Sequence, residues 1–407
     1  MRTTASRNRW WQRSVRRGGV GLCLVTLLTA ACGGSSSSVH VAKIGVVAPL
    51  DAGLVQFGRG IRNSVRVAVD EANRRHAVPG WRFEVDALND SSNAATGEAA
   101  AGRLAADATV IGMVGTYNSG VAARVAPVLS RAGIVMISPA NTDPVLTRGS
   151  GPARPVRPHS NYFRLVAADD VQAPFLAKAA FEDVRARRVA VVSETKPVSK
   201  GLADGFIAAF GARGGATVFN RVVPDATSEF TDVIKEIAPL HPDLVFFGGE
   251  YEVGAQFTKQ VTEAGITVPV MGGDGIKDDA YIAKAGPASD GDIASTVGAP
   301  LAAQPSAKPF TDAYARAGFA EPASDYGVYA YDATNIILAA AAKALRGSSR
   351  VSRKVLGEII AEVQATDSTG ASGRLAFDQF GDTRAKVLTL YRVSGGAWMP
   401  TKTESVS

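Results

Sequence analysis

The stretch MVGTYNSGVAARVAPVLSRAGIVMIS, residues 113–138, runs from an apolar segment through a polar, glycine-containing loop into a helical segment. It then passes an Ala-Gly turn and ends in a second apolar run. A later stretch, FFGGEYEVGAQFTKQVTEAGITVPVM, residues 246–271, repeats that order. Near-continuous apolar runs are what parallel strands buried on both faces require, and the segments between them carry helical spacing. The likeness is one of pattern more than identity, so recurrence of a common α/β unit accounts for it as well as internal duplication does.

The same alternation extends in both directions. AKIGVVA (42–48) precedes a helical stretch from about Gly58 to Arg75, in which Ile61, Val65, Val69 and Ala72 share one face. RFEVDAL, TVIGMVG and IVMIS follow as strands. A loop rich in Pro, Arg and Gly, TRGSGPARPVRPHSN (147–161), interrupts the series and reads as a solvated insertion. The pattern then restarts with RVAVVSE, ATVFNRVV, DLVFFGG and VPVMGG. Each run is too short for a closed barrel of eight units, so the expected fold class is α/β with two open, doubly wound parallel-sheet lobes. From about residue 300 come three helical stretches, including DYGVYAYDATNIILAAAAKAL, and then RLAFDQFGD and the strand KVLTLYRV.

The N-terminus stands apart. Residues 1–31 read as an export signal: MRTTASRNRWWQRSVRRGG (1–19) carries six Arg and no acid, and VGLCLVTLLTAA (20–31) is an apolar run too short to span a bilayer comfortably. Thr29-Ala30-Ala31-Cys32 resembles a bacterial lipobox with Cys32 as the lipidated first residue, although Leu is commoner where Thr29 stands. Residues 32–40, with GGSSSS, read as a flexible tether. The whole chain has 44 Lys+Arg against 38 Asp+Glu, net +6. Those six leader arginines are the whole excess, so the remainder is neutral and gives no electrostatic case for a nucleic-acid partner. Cys23 leaves with the leader and Cys32 is the only other cysteine, so no disulfide is expected.

In open α/β sheets ligands lie beyond the carboxyl ends of the strands. There Ser119 opens a helix, where a hydroxyl and free backbone N–H groups suit a carboxylate. Thr142, in ISPANTD, adds a second hydroxyl, and Asp274, in GGDG, offers a carboxylate to an ammonium group. Each has an ordinary alternative as helix cap, turn residue or turn former. Together they describe a cradle for a zwitterion.

Those motifs, in their order over about residues 41–395, resemble the branched-chain amino acid-binding proteins of ABC transporters, the type I periplasmic binding fold. The carrying motifs are KIGVVAPLDAGLVQFGRGIRNSVRVAVDEAN, GTYNSGVAARVAPVLSRAGIVMISPANTDPVLT, YFRL, GGEYEVGAQFTKQVTEAGI, MGGDGI and YAYDAT. The resemblance implies that Ser119, the Ala140 backbone and Thr142 hold the ligand's carboxylate and amine and that Asp274 holds the amine. It also implies aromatic contacts from Phe57 and Tyr326. It places a multi-crossover hinge between lobe 1 (41–163 plus about 300–375) and lobe 2 (about 164–299 plus 376–402). Two departures stand out: Glu250 and Val198 occupy positions where aromatic residues are common. Glu250 is therefore expected to line the pocket and influence specificity, with Tyr251 as its replacement if the loop shifts by one residue.

An enzyme is not expected. His40, His76, His159 and His241 are scattered without metal-ligand spacing, Ser119 lacks a nucleophile elbow, and no strand-bounded G-x-G-x-x-G follows the first strand. No metal or cofactor is expected. The function implied is capture of an amino acid, branched-chain or aliphatic in type, by a monomer anchored outside the cytoplasmic membrane or periplasmic, and delivery to a membrane permease. A ligand-sensing lipoprotein of the same fold is the alternative.

Overall fold

The computed structural model describes residues 39–51, 53–151 and 153–406. The leader, Cys32 and the tether up to residue 38 lie outside the described residues. His40, assigned above to the tether, is already the first residue of a strand.

The first sheet consists of β1 (His40–Ala48), β2 (Trp81–Asn89), β3 (Val110–Gly115), β4 (Val135–Ser138) and β5 (Tyr162–Arg164), all parallel, in the order β2-β1-β3-β4-β5. Every residue of β3 and β4 is buried, as continuous apolar runs between two helical layers require. One covering layer contains the helix Val55–Arg74, which starts three residues before the expected Gly58 and buries Ile61, Val65, Val69 and Ala72. The helix Ser324–Ala344 packs beside it over β3. Gly112 in β3 permits that approach, because a Cβ there would stand 2.9 Å from Ile337 Cγ2.

The chain next forms β6 (Arg188–Glu194), β7 (Ala216–Val223), β8 (Leu244–Gly248), β9 (Val270–Gly272) and β10 (Ile293–Thr296). After the helices that cover the first sheet come a short hairpin, β11 (Asp367–Gly370) and β12 (Gly373–Ala376), and then β13 (Val387–Ser394) and β14 (Ala397–Ser405). The second sheet has the order β14-β13-β10-β9-β8-β6-β7, with β13 antiparallel to β10 and β14 antiparallel to β13. β14 is a strand beyond those read from the sequence. The chain passes between the sheets three times: after β5, after β10 and before β13.

The two quoted stretches occupy equivalent positions, β3-helix-β4 and β8-helix-β9. Their Ala-Gly turns are built alike. Gly133 (φ 71°) and Gly265 (φ 80°) take the left-handed conformation that spares a glycine any Cβ clash. Ile134 N then donates to Leu129 O at 3.0 Å and Ile266 N to Val261 O at 3.2 Å, closing each helix and aiming the next strand back along the sheet.

The loop 147–161 is not merely solvated. Arg154 is exposed, but Arg148 donates to Asp382 at 2.9 Å. Arg157 donates to the Tyr162 carbonyl at 2.8 Å while its guanidinium lies 4.6 Å from the centre of the Phe163 ring. Two of the three loop arginines thus fold inward onto β5 and the last passage between sheets.

Candidate functional site

Parallel strands deliver their carboxyl ends to one edge of each sheet, and these edges face each other. Four helices begin there: Ser119–Ala132 after β3, Asp169–Glu182 after β5, Pro197–Gly211 after β6 and Tyr251–Glu263 after β8. None of the four has a side-chain cap, whereas Asn93, Asp278 and Ser352 cap helices elsewhere. Uncapped N-terminal N–H groups are anion sites.

The cavity between these ends is lined by Tyr117, Ser119, Ala140, Thr142 and Tyr326 from the first sheet's side and by Val198, Glu250 and Asp274 from the second's, with Asn118 and Asp169 among the remaining walls. Seven of the residues singled out from the sequence therefore meet: Ser119, Ala140, Thr142, Val198, Glu250, Asp274 and Tyr326. Phe57 does not line this cavity. It stands one layer behind, stacked on Tyr117 at 4.7 Å and edge-on to Tyr326 at 5.2 Å. Tyr251 also turns away from the cavity, its ring edge-on to Phe57 at 5.5 Å and its hydroxyl donating to Gly53 O at 3.0 Å. Glu250 is the residue of that pair which faces the cavity.

The SPANT loop is fixed from behind. Ser138 Oγ accepts from Asn141 N at 2.9 Å, and Asn141 Nδ2 donates to Tyr117 O at 2.7 Å. Arg164, completely buried at the end of β5, donates to Asn141 O at 3.1 Å and Asp143 O at 2.8 Å. Thr142 is thereby held between two anchored carbonyls with its hydroxyl toward Asp169 Oδ2, to which it donates at 3.1 Å.

Asp169 and Gln172 went unnoticed in the sequence. Gln172 Nε2 bridges Asp169 Oδ1 and Asp274 Oδ1, 3.0 Å from each, and Tyr326 OH donates to Asp274 Oδ2 at 2.7 Å. Burial, and Asp274 beside it, raise Asp169 to about 8. Burial also raises Asp274, against the hydrogen bonds from Tyr326 and Gln172. Among the described residues neither carboxylate has a basic partner within salt-bridge distance. Two desolvated acids without a cation form a seat for one.

Lys196 was also missed. Its ammonium pairs with Glu250 and lies 3.5 Å from Glu194 Oε2. Burial opposes its charge, but Glu250 and Glu194 hold it above the ordinary lysine value. In sequence, Asp169 reads as an ordinary first-turn acid in AADDVQ and Lys196 as a surface lysine ahead of Pro197. The available signal was position: both fall where a strand end meets a helix start, as Ser119 does.

Contacts cross the cleft at several points. Asn118 Nδ2 donates to Glu250 Oε1 at 2.8 Å, Tyr326 to Asp274, Tyr251 to Gly53, and Lys277 pairs with Asp325 at 2.9 Å. The two halves are thus drawn together over the cavity.

The sequence matches the family described as periplasmic binding protein over residues 41–397. A Leu/Ile/Val-binding protein of Rhizobium johnstonii is 28% identical over 353 residues, covering 87% of this chain and 92% of that protein. A Leu/Ile/Val-binding protein homolog of Brucella melitensis is 27% identical over 367 residues, covering 90% and 95%. Among solved structures, a leucine binding protein from Thermotoga maritima superposes with a TM-score of 0.78 at 25% identity, covering 89% of this chain and 99% of that one. The branched-chain amino acid transporter substrate binding protein of Streptococcus pneumoniae, in complex with isoleucine, shares the fold with a TM-score of 0.78 at 23% identity, covering 90% and 99%. The chain belongs to the periplasmic binding protein family, with the type I fold.

Proposed function

We propose that the chain captures a free amino acid between its two lobes, 41–163 plus about 300–375 and about 164–299 plus 376–402, and presents it to an ABC transporter permease. The observation that carries this reading is the pair of acids, Asp169 and Asp274, opposite a hydroxyl-lined helix N-terminus in one cavity. An α-amino acid has matching ends. Its carboxylate fits Ser119, the Ala140 backbone, Thr142 and the uncapped N–H groups of Ser119–Ala132, where dipoles balance the charge without burying a second ion. Its ammonium fits Asp274 and Asp169, and exclusion of water strengthens that attraction.

Binding proceeds by hinge closure. The ligand docks on one lobe, and closure about the three passages between the sheets brings the other over it. The closed surface is what a permease recognises, and a diacylated Cys32 keeps the protein at the outer face of the cytoplasmic membrane. The branched-chain class rests on the names of the relatives.

The test is calorimetric titration of the purified protein with a panel of amino acids, after unfolding and refolding to strip carried ligand. Saturable binding of at least one amino acid is expected, and Ser119→Ala together with Asp274→Asn should abolish it. Unchanged affinity in that double variant would remove the site assignment.

A further inference from the structure

Besides Asp169 and Asp274 the cavity is lined by groups of another kind. Val198, Leu202 and Tyr117 are apolar walls, and Asn118 and Glu250 meet across the cleft. Lys196 stands on Glu250, and Glu194, fully buried, stands behind Lys196 while accepting the Glu250 backbone N–H at 3.0 Å. This cluster therefore holds two carboxyl groups and one ammonium. With Asp169 and Asp274, the cavity and its immediate supports carry four carboxyl groups; the bases among them are Lys196 and, beside Asp169, Arg164, and burial raises Asp169 and Glu194 to about 8, so the cavity is rich in groups that receive a hydrogen-bond donor without a matching excess of charge.

The hydrogen-bond inventory leans the same way. Asn118 Nδ2 is used by Glu250, but Asn118 Oδ1 is shut off from solvent and accepts nothing. Glu194 Oε1 is in the same condition deeper in the cluster. A buried acceptor without a donor is unfavourable, and an occupant supplying one removes the penalty. Leucine, isoleucine and valine, which give the relatives their names, end in methyl groups that supply none.

We propose that the side chain of the bound amino acid ends in a hydrogen-bond donor, an amide or a cation, received by Asn118 and Glu250. This rests on the amino-acid reading above. Val198 and Tyr117 flank the methylenes, the polar terminus reaches Asn118 Oδ1, and Lys196 and Asn118, one on each oxygen, hold the Glu250 carboxyl in place. Lys196 and Asn118 are then specificity-determining residues together with Glu250.

The experiment is competitive titration of the purified, ligand-stripped protein with glutamine, asparagine, lysine and arginine against leucine, isoleucine and valine. The expected result is that an amide or basic amino acid binds on the order of 10- to 100-fold tighter than leucine, since a site built around buried polar groups rejects analogues that leave them unpaired. Whether the amides or the basic amino acids lead identifies the donor. Glu250→Leu should narrow the gap, and because it strands Lys196, a Lys196→Met, Glu250→Leu double variant removes both ends of the pair. Tightest binding of leucine, isoleucine or valine, or an unchanged ranking in the double variant, overturns the inference and leaves the amino-acid reading standing. Silence of a folded protein toward every amino acid overturns both.

Discussion

Arg164 donates from Nε to Asp382 Oδ1 at 2.6 Å, with both side chains out of solvent, and so ties the last strand of the first sheet to the chain's final passage into the second. The same guanidinium grips the carbonyls on either side of Thr142. One buried ion pair thus fixes both the hinge and the hydroxyl-bearing loop of the cavity.

Removing one member strands the other. Asp382→Ala should cost about 3–5 kcal/mol in urea unfolding, and Arg164→Met with Asp382→Leu should recover only part of the loss, because it also takes the donor from Asn141 O and Asp143 O. Burial alone would raise Asp382, but Arg164 and Arg148 hold it below the usual carboxylate value. A depressed folded-state value adds stability above the unfolded pKa, and that stability is lost as pH falls through the folded one. The difference between wild type and Asp382→Asn should therefore shrink in acid; a difference independent of pH would show that the ion pair is not its source.

Binding should depend on pH through Asp169. The charged groups around it are Asp274, Asp143 and Arg164, and burial with Asp274 raises it to about 8. The empty site then holds a proton at neutral pH, which an incoming ammonium group displaces. Affinity should rise from about pH 6 toward 8 with proton release, measurable by calorimetry in buffers of different ionisation heat, and Asp169→Asn should flatten the slope. For stability the sign reverses: a carboxyl raised on folding takes up a proton, so its contribution declines as pH climbs from the unfolded value of 3.8 and levels off above about 8.

Thr142 supports both ends of the proposed ligand. Thr142→Val removes a donor to Asp169 and a hydroxyl from the cavity with little change in volume. A hydrogen bond to a charged group contributes about 1.5–3 kcal/mol, so affinity should fall roughly 10- to 100-fold. Because this hydroxyl holds Asp169 down, its loss should move the pH profile of binding upward.

Tyr251 and the Lys277–Asp325 pair act on closure instead of on contact with the ligand. Both link the halves across the cleft without lining the cavity with Tyr251 or Lys277. Tyr251→Phe combined with Asp325→Asn should weaken binding by about 2- to 10-fold, in line with one neutral hydrogen bond and one half-exposed ion pair. X-ray scattering of the unliganded variant should show a larger radius of gyration; an unchanged radius with weakened binding would place the effect in the cavity.

Much of this architecture was legible because its signals are local. The apolar runs of β3 and β8, and Gly133 and Gly265 closing the helices that follow them, identify buried parallel strands without knowledge of neighbours. β5 and β10 are too short to show a period, and β14 is a polar edge strand interrupted by Pro400, so nothing in its spacing separates it from a loop. At the cavity, Ser119, Thr142 and Asp274 announce themselves by standing at strand ends. Asp169, Gln172 and Lys196 acquire meaning only from what faces them across the fold, and Arg148 and Arg157 looked like loop charges until Asp382 and Phe163 were brought beside them.

The late return of the chain bears on how the protein is made. The five strands of the first sheet are complete by Arg164, yet the helix Ser324–Ala344 that covers β3 follows only after β6 to β10. The second sheet in turn keeps an open edge at β10 until β13 pairs there. A polypeptide emerging N-terminus first can bury neither half fully before its C-terminal residues appear, and contacts so distant along the chain form slowly. A product cut short before Val387 would expose an unpaired edge on one sheet while the other was already covered, a form prone to associate with copies of itself.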